Sequence, residues 1–392
     1  MRIVHSIGER VAAIDTAGAL IIGMEDGPDQ LRFFRISGFD TDRHDNIYIL
    51  DGGESCIRVF TAAGEYIRTI GRSGSGPGEF RSAMSLIVTG DTVAVWDFEL
   101  RRLTLFDLQG NVMETVAWQM PRGSGWIYPV ARVENGWLAA QLLYKPDPRP
   151  GSFREDSMHI IDLQGMGRSE ESRRAVVGFP FVRYYPIHVE SGITGMDALG
   201  TGVQSFAVDE QGRTYVPQQH GYAIDVYDLA GDHVRRISRN HDPVPITREL
   251  VERYRDSVHA FWSHRPGGDA GALERRVADA RADLPHPESL APIGRVLVSP
   301  EGTIWAERTD IVDDPMDRIW DGPPSAAYMP SYTWDVFASD GTFVATVRFT
   351  EGFSPRMAER GALFGIMRND VGVQRAARIP VDLRMFGIVD NR

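Results

Sequence analysis

Residues Phe39–Phe80 read FDTDRHDNIYILDGGESCIRVFTAAGEYIRTIGRSGSGPGEF, and this stretch decides the fold. It holds three short β-rich runs, Ile47–Leu50, Ile57–Phe60 and Tyr66–Ile70. The polar turn His44-Asp45-Asn46 precedes the first run. Asp51-Gly52-Gly53 and Ala62-Ala63-Gly64 separate the others at hairpin spacing. With a further run near Ile36–Asp40 they predict a four-stranded antiparallel meander. One meander cannot cover both of its faces, so the unit has to recur or stack.

The unit does recur. A second copy spans 82–118, with runs Ser85–Val88, Thr92–Trp96, Leu103–Phe106 and Val112–Trp118. A third, 127–178, is interrupted by the Pro/Gly-rich excursion Lys145–Asp156. A fourth covers 203–238, a fifth 293–350, and a sixth, 353–382, shows only three strands. Residues 1–35 carry two apolar runs, Val11–Ile14 and Leu20–Ile22, which read as a hairpin through Gly18. If this segment supplies the closing strands of the sixth unit, first and last segments pair and no sheet edge is left open. The expectation is an all-β single domain over 1–392: a six-bladed β-propeller with four-stranded antiparallel blades, blade 1 at 36–80, closed by the N-terminal segment.

One region breaks strand periodicity. In Thr247–Trp262, the residues Leu250, Tyr254, Val258 and Phe261 fall on one helical face, with Thr247 as N-cap. Leu273, Val277, Ala280 and Leu284 repeat the pattern until Pro285 ends it. A helical insertion at 240–291, with helices over about 245–285, is predicted between the fourth and fifth blades. It offers a surface for a protein partner, or more simply covers the propeller rim.

Composition narrows the function. The 392 residues carry 42 Lys+Arg against 54 Asp+Glu, a net charge of −12, which opposes nucleic acid and anionic membrane as partners. Lys145 is the sole lysine, so nearly every cation is arginine. Cys56 is the sole cysteine, so an intrachain disulfide is impossible; at the start of a strand it reads as a small buried apolar residue. No apolar run reaches membrane-spanning length.

The turn motif is shared: Val59-Phe60-Thr61-Ala62-Ala63-Gly64, Leu105-Phe106-Asp107-Leu108-Gln109-Gly110 and Val226-Tyr227-Asp228-Leu229-Ala230-Gly231. It resembles the repeat of NHL-type β-propellers, departing from it at Thr61, where Asp is usual. Ile70–Phe80, IGRSGSGPGEF, resembles the inter-blade signature of bacterial six-bladed β-propeller proteins. Many such proteins look exported, which implies an extracytoplasmic location if a leader was removed; a native Met1 would instead imply the cytoplasm. Relatives of this fold include lyases and calcium-dependent lactonases, and others bind RNA, peptides or glycans. Fold does not choose among these.

Connection lengths locate a site. Second-to-third-strand loops and blade-to-blade links emerge on one end of a propeller. Here the long excursions, Lys145–Asp156, Arg183–Gly202, Asn240–Ala291 and Arg308–Tyr332, all belong to those classes, while the opposite turns are short. Long loops on a rigid scaffold carry binding. Arg81, Trp126, Tyr128, Arg183, Tyr185, His188, His220, Trp262 and Trp320 are the candidate ligand-binding residues, aromatic and cationic groups suited to a small polar molecule, a saccharide or a peptide. An alternative is a lyase or hydrolase at the same mouth, with His188 and His220 as base or metal ligands and Arg183 and Tyr185 stabilising developing charge. No cofactor is required. Zinc at His188, His220 and His241 has only topology behind it, and calcium on Asp310, Asp313, Asp314, Asp317 and Asp321 competes with a solvated acidic loop. Asp40–Asn46 also looks calcium-like, but ordinary turn chemistry accounts for it.

Overall fold

The computed structural model describes residues 2–6, 11–14, 18–118, 124–133, 136–143, 154–164, 173–189, 192–197, 205–252, 288–309, 332–350, 352–369 and 372–382. Each repeat is one antiparallel sheet whose strands lie side by side in chain order. Blade 1 comprises Ile36–Thr41, Ile47–Asp51, Cys56–Phe60 and Tyr66–Ile70; blade 2 comprises Ala83–Thr89, Thr92–Asp97, Arg102–Asp107 and Val112–Ala117. Blades 4 and 5 run Ala207–Arg239 and Ile293–Phe349 in the same manner. Blade 6 has three strands of its own, Phe353–Glu359, Ala362–Arg368 and Gln374–Pro380, and takes Leu20–Ile22 as its fourth. The protein is a six-bladed β-propeller closed by its N-terminal segment.

Two readings change. Val11–Ile14 and Leu20–Ile22 do not form a hairpin. Arg2–Ser6 and Val11–Ile14 instead join the outer edges of blades 4 and 5 in parallel, leaving closure to Leu20–Ile22. A run of alternating apolar residues announces a strand but not the edge it will pair with. Blade 3 has five strands: Arg173–Val189 extends past its neighbour Arg154–Gln164 and pairs there with Gly192–Asp197. Much of the excursion read at Arg183–Gly202 is therefore sheet. The insertion begins as expected, with a helical turn at 248–252 and the Thr247 hydroxyl accepting from the Leu250 amide at 3.2 Å. The rest of it, 253–287, lies outside the described residues. No helix among the described residues is long and apolar enough to cross a membrane.

The first strands of neighbouring blades approach one another and so surround the axis. Side chains stitch this inner wall. The Val88 amide donates to Asp40 (2.6 Å), Ser85 Oγ to the Pro129 carbonyl (3.0 Å), and the Val296 amide to Ser205 Oγ (2.9 Å). Arg295, paired with Glu307 at 2.9 Å, reaches the Pro355 carbonyl of blade 6, and the Ile36 amide donates to the Gln374 side chain at 2.8 Å. Between successive blades the facing apolar rows form a cluster at every boundary, for example Tyr48, Leu50, Val59, Phe80, Val93 and Phe106 between blades 1 and 2. Burial on this scale is the main stabilising term.

The turn motif has a second role. Its glycine, between third and fourth strands, packs on the outer strand of the preceding blade: Gly110 on Ile70, Gly231 on Val176, Gly341 on Ile237. Beside it an outer-strand arginine donates to a carbonyl of the same turn: Arg68 to Leu108, Arg174 to Leu229 and Arg235 to Ser339, at 2.5–2.7 Å. Gly64 makes the equivalent contact with Leu20, where a Cβ would fall 2.8 Å from Leu20 Cδ1, so the closing boundary repeats the others. The strand Leu20–Ile22 has no arginine to complete the clasp there.

Candidate functional site

The two ends of the propeller differ in what their polar groups do. At the end with short turns, carboxylates are saturated by their own turns. Asp42 accepts from the His44 and Asn46 amides, from Asn46 Nδ2 and from the Tyr48 hydroxyl. Asp209 does the same in blade 4 with the Gln211 and Arg213 amides, the Arg213 guanidinium and the Tyr215 hydroxyl. The calcium-like run Asp40–Asn46 is thus ordinary turn chemistry. These donors outweigh desolvation and hold Asp42 below the usual carboxylate range. A polar cleft of about 480 Å³ lies here, between Tyr48 and Arg68 of blade 1 and Asp107 and Gln109 of blade 2. Arg43 and Asp91 bridge it at 2.6 Å.

Further in, half-buried Asp40 sits at the end of the innermost strand of blade 1. Desolvation pushes its carboxyl up to about 7 against the amides of Val88 and Thr41, which favour the anion; Glu359 and Glu210 add repulsion. Burial raises Glu359 likewise.

At the other end, where the long loops emerge, two aspartates close the second strands of blades 1 and 2. Buried Asp51 accepts from the Phe34, Arg35, Gly53 and Glu54 amides and from Arg58, which is itself buried, at 3.0 Å. Buried Asp97 accepts from the Arg81, Ser82 and Leu100 amides. Each one fastens the incoming link to the blade it enters. Gly52 and Gly53 then let that link lie flat on the turn: a Cβ on Gly53 would fall 2.6 Å from Phe34 Cβ, and one on Gly52 2.7 Å from Ser37 Oγ.

Large apolar side chains are left outside by this arrangement. Phe34 is 67 % exposed, Met84 47 % and Phe98 41 %. The backbone segments that carry them adjoin, since the Ala83 carbonyl lies 3.4 Å from the position of a Gly52 Cβ and the Phe98 amide donates to the Ser82 carbonyl at 2.9 Å. Sequence reasoning missed all three. Phe98 follows Asp97 as Gly52 follows Asp51, and that alignment of turns was the available signal.

Of the predicted site residues, the structure describes the side chains of Arg81, Tyr128, His220 and His241, which do not lie on one blade. Arg81 lies on the link beside this patch, half-exposed, donating to Ser75 Oγ at 2.8 Å and paired with Glu99 at 2.9 Å. Tyr128 is on the innermost strand of blade 3, packed against the blade 2–3 and 3–4 cores, and burial pushes its phenol up to about 12. His220 is exposed in the second-to-third-strand turn of blade 4. His241 is half-buried with its ring 5.5 Å from that of Tyr222. Burial first, and then the Asp335 carboxylate, drive the Tyr222 phenol well above its usual range; Asp335 is paired with Arg239 at 2.8 Å. Arg183, Tyr185 and His188 belong to the long strand of blade 3 and Trp126 to its first strand, but their side chains lie outside the described residues, as do Trp262, Trp320 and the acidic run Asp310–Asp321 entirely. Among the described residues no group of three His, Cys, Asp or Glu side chains is placed to hold a metal ion. Cys56 is buried and its thiol is pushed up to about 11, which makes it a poor nucleophile.

Residues 33–122 match the model of DUF5128, a family described as a 6-bladed beta-propeller. That stretch is blades 1 and 2, the part of the propeller that carries the anchoring aspartates and the exposed patch. No curated protein matches the chain. Among solved structures, a member of the DUF4221 family from Bacteroides vulgatus superposes with a TM-score of 0.55 at 12 % identity, over 92 % of this chain and 95 % of its own. A candidate exported protein from Bacteroides fragilis reaches 0.49 at 9 % identity, over 97 % and 100 %. Virginiamycin B lyase from Staphylococcus aureus reaches 0.40 at 7 %, over 93 % and 99 %. At these identities the likeness is one of propeller fold.

Proposed function

We propose that the protein is a ligand-binding propeller that takes a small polar, saccharide or peptide ligand at its loop-rich mouth. One observation supports this above the rest: Phe34, Met84 and Phe98 are each exposed on backbone segments of blades 1 and 2 that adjoin at that end. Single exposed apolar residues are normal; three on adjoining, hydrogen-bonded segments favour an interaction surface. Arg81 beside it, and the loops that carry Arg183, Tyr185, His188, Trp262 and Trp320, would add polar and aromatic contacts. Calorimetry of the purified protein against saccharides, short peptides and small carboxylates tests the reading. Binding should weaken at least tenfold in Phe34→Ala and Phe98→Ala; a ligand whose affinity ignores both, and Arg81→Ala as well, would sink it.

A lyase or hydrolase at the same mouth is the second reading. His220 or His188 would serve as base or metal ligand, with Arg183 and Tyr185 stabilising developing charge. Elemental analysis separates the two: stoichiometric zinc or calcium, lost on replacing His188 or His220, favours the enzyme. A protein partner on 240–291 would show as a pull-down lost when that segment is deleted with the β fold intact.

A further inference from the structure

We infer that residues 2–14 are exchanged between two copies of this chain, each laying its N-terminal strands along the outer edges of blades 4 and 5 of the other. The exchange concerns the rim of the propeller and does not depend on what binds at the mouth.

The ring does not need these strands. Blades 4 and 5 each have four strands of their own, and Arg2–Ser6 and Val11–Ile14 are added outside them as a fifth. Closure belongs to Leu20–Ile22, which completes blade 6. Ala12 and Ile14 touch the core between blades 5 and 6 only from its rim, both half-buried, and Ala13 between them is exposed. Each added strand pairs in parallel, the slightly weaker mode per residue, and neither is tied to its blade by a hairpin. The two can therefore leave while all six blades stay paired.

The connection to the ring has little slack. Ile14 is in register with Phe349, whose amide donates to the Tyr332 carbonyl at the loop-rich end. Leu20 is in register with Arg378, close to Val381, whose amide donates to the Gly361 carbonyl at a short turn. Between Ile14 and Leu20 the chain must pass from blade 5 to blade 6 and from one end of the propeller towards the other. Residues 15–19 have to do this at no more than about 3.6 Å per residue. A short connection under tension favours exchange, because a second molecule can receive the strands without the connection having to turn back on its own ring.

The edge itself selects the partner. A segment that fills both blades must present two short strands, both parallel to the outer strands, at one fixed separation along the chain. Residues 2–14 have that pattern, from Arg2 opposite Arg235 to Ser6 opposite Arg239 and from Val11 opposite Thr346 to Ile14 opposite Phe349. A second copy has it by identity. Exchange keeps every one of these pairings, so the release of tension is set against the loss of free motion on association, and the exchanged form grows with concentration.

The test uses full-length chains with two different affinity tags, co-expressed and purified through both. One carries His5→Cys and the other Ser238→Cys, a pair at one register position of blade 4. Native Cys56 is buried in blade 1 and does not compete. A disulfide between the two chains then requires the N-terminal strand of one to lie on blade 4 of the other. Its yield should exceed at least tenfold that of the control pair His5→Cys and Met113→Cys, Met113 being exposed on the outer strand of blade 2. Light scattering on the unaltered protein gives an independent reading: a dimer should form, its fraction rising with concentration. Inserting Gly-Ser-Gly-Ser after Thr16 slackens the connection and should lower that dimer fraction at least tenfold. A disulfide that forms only when both cysteines are on one chain overturns the inference, as does a protein that stays monomeric at every concentration. A dimer indifferent to the insertion and giving no disulfide above the control uses another surface, which also overturns it.

Discussion

The short-turn end and the loop-rich end are built from the same repeat, yet they use it in opposite ways. At the short-turn end, glycines and arginines of one blade lock onto the next, and the carboxylates are occupied by their own turns. At the loop-rich end, buried aspartates anchor the backbone but leave Phe34, Met84 and Phe98 facing out. On the proposed reading, blades 1 and 2 keep the blade-to-blade clasp at one end and expose a recognition surface at the other. Substitutions should divide accordingly.

The largest effect should come from Gly231→Ala. The residue has φ +89°, and a Cβ would fall 2.3 Å from the Val176 carbonyl oxygen, so backbone must move. Urea unfolding should show a loss of about 3 kcal/mol or more, since a left-handed conformation and a backbone clash coincide; a loss below a third of that would mean the blade contact is dispensable. Next is pH. Asp40 keeps its proton up to about 7 in the folded state, while the unfolded carboxyl loses it near 4. Between those values the folded state binds more protons, so stability falls as pH rises and levels off above about 7, by on the order of 2 kcal/mol for a half-buried group. Asp40→Asn should flatten that slope. Its absolute stability is not the readout, because the amide can accept from only one of Val88 and Thr41. A slope unchanged in this variant would shift the effect to Glu359.

Smaller still is Arg68→Ala, which removes one clasp bond to Leu108 and should cost about 1 kcal/mol, the net worth of a hydrogen bond. Smallest are Phe34→Ala and Phe98→Ala, expected within about 0.5 kcal/mol of the unaltered protein because the side chains are exposed. A loss of several kcal/mol there would erase the distinction between the ends.

The ring was readable because its determinants are local and recur. Gly64, Gly110 and Gly231 stand at one turn position in three blades, and each is required both by a positive φ and by the blade packed against it. Thr247 marked the start of a helical turn for the same reason, a cap being a contact within three residues. Long-range choices were not readable. Nothing in Val11–Ile14 says that its partner is Thr346–Phe349, and nothing in Phe34 says that it lies outside while Phe33 is buried. The site suffered most from this. Loop length points only to a class of connection, whereas exposure of Phe34, Met84 and Phe98 depends on how Asp51 and Asp97 fold the links. Tyr128 was drawn to the mouth by its residue type, whereas its ring packs into the blade cores.

Closure by Leu20–Ile22 also sets when the fold can be completed. That strand pairs with Ala376–Arg378 and the Ile36 amide waits for Gln374, so both contacts join segments from opposite ends of the repeat array. Contacts so distant in sequence form slowly, and until they do the sixth blade keeps an unpaired edge and blade 1 an uncovered face.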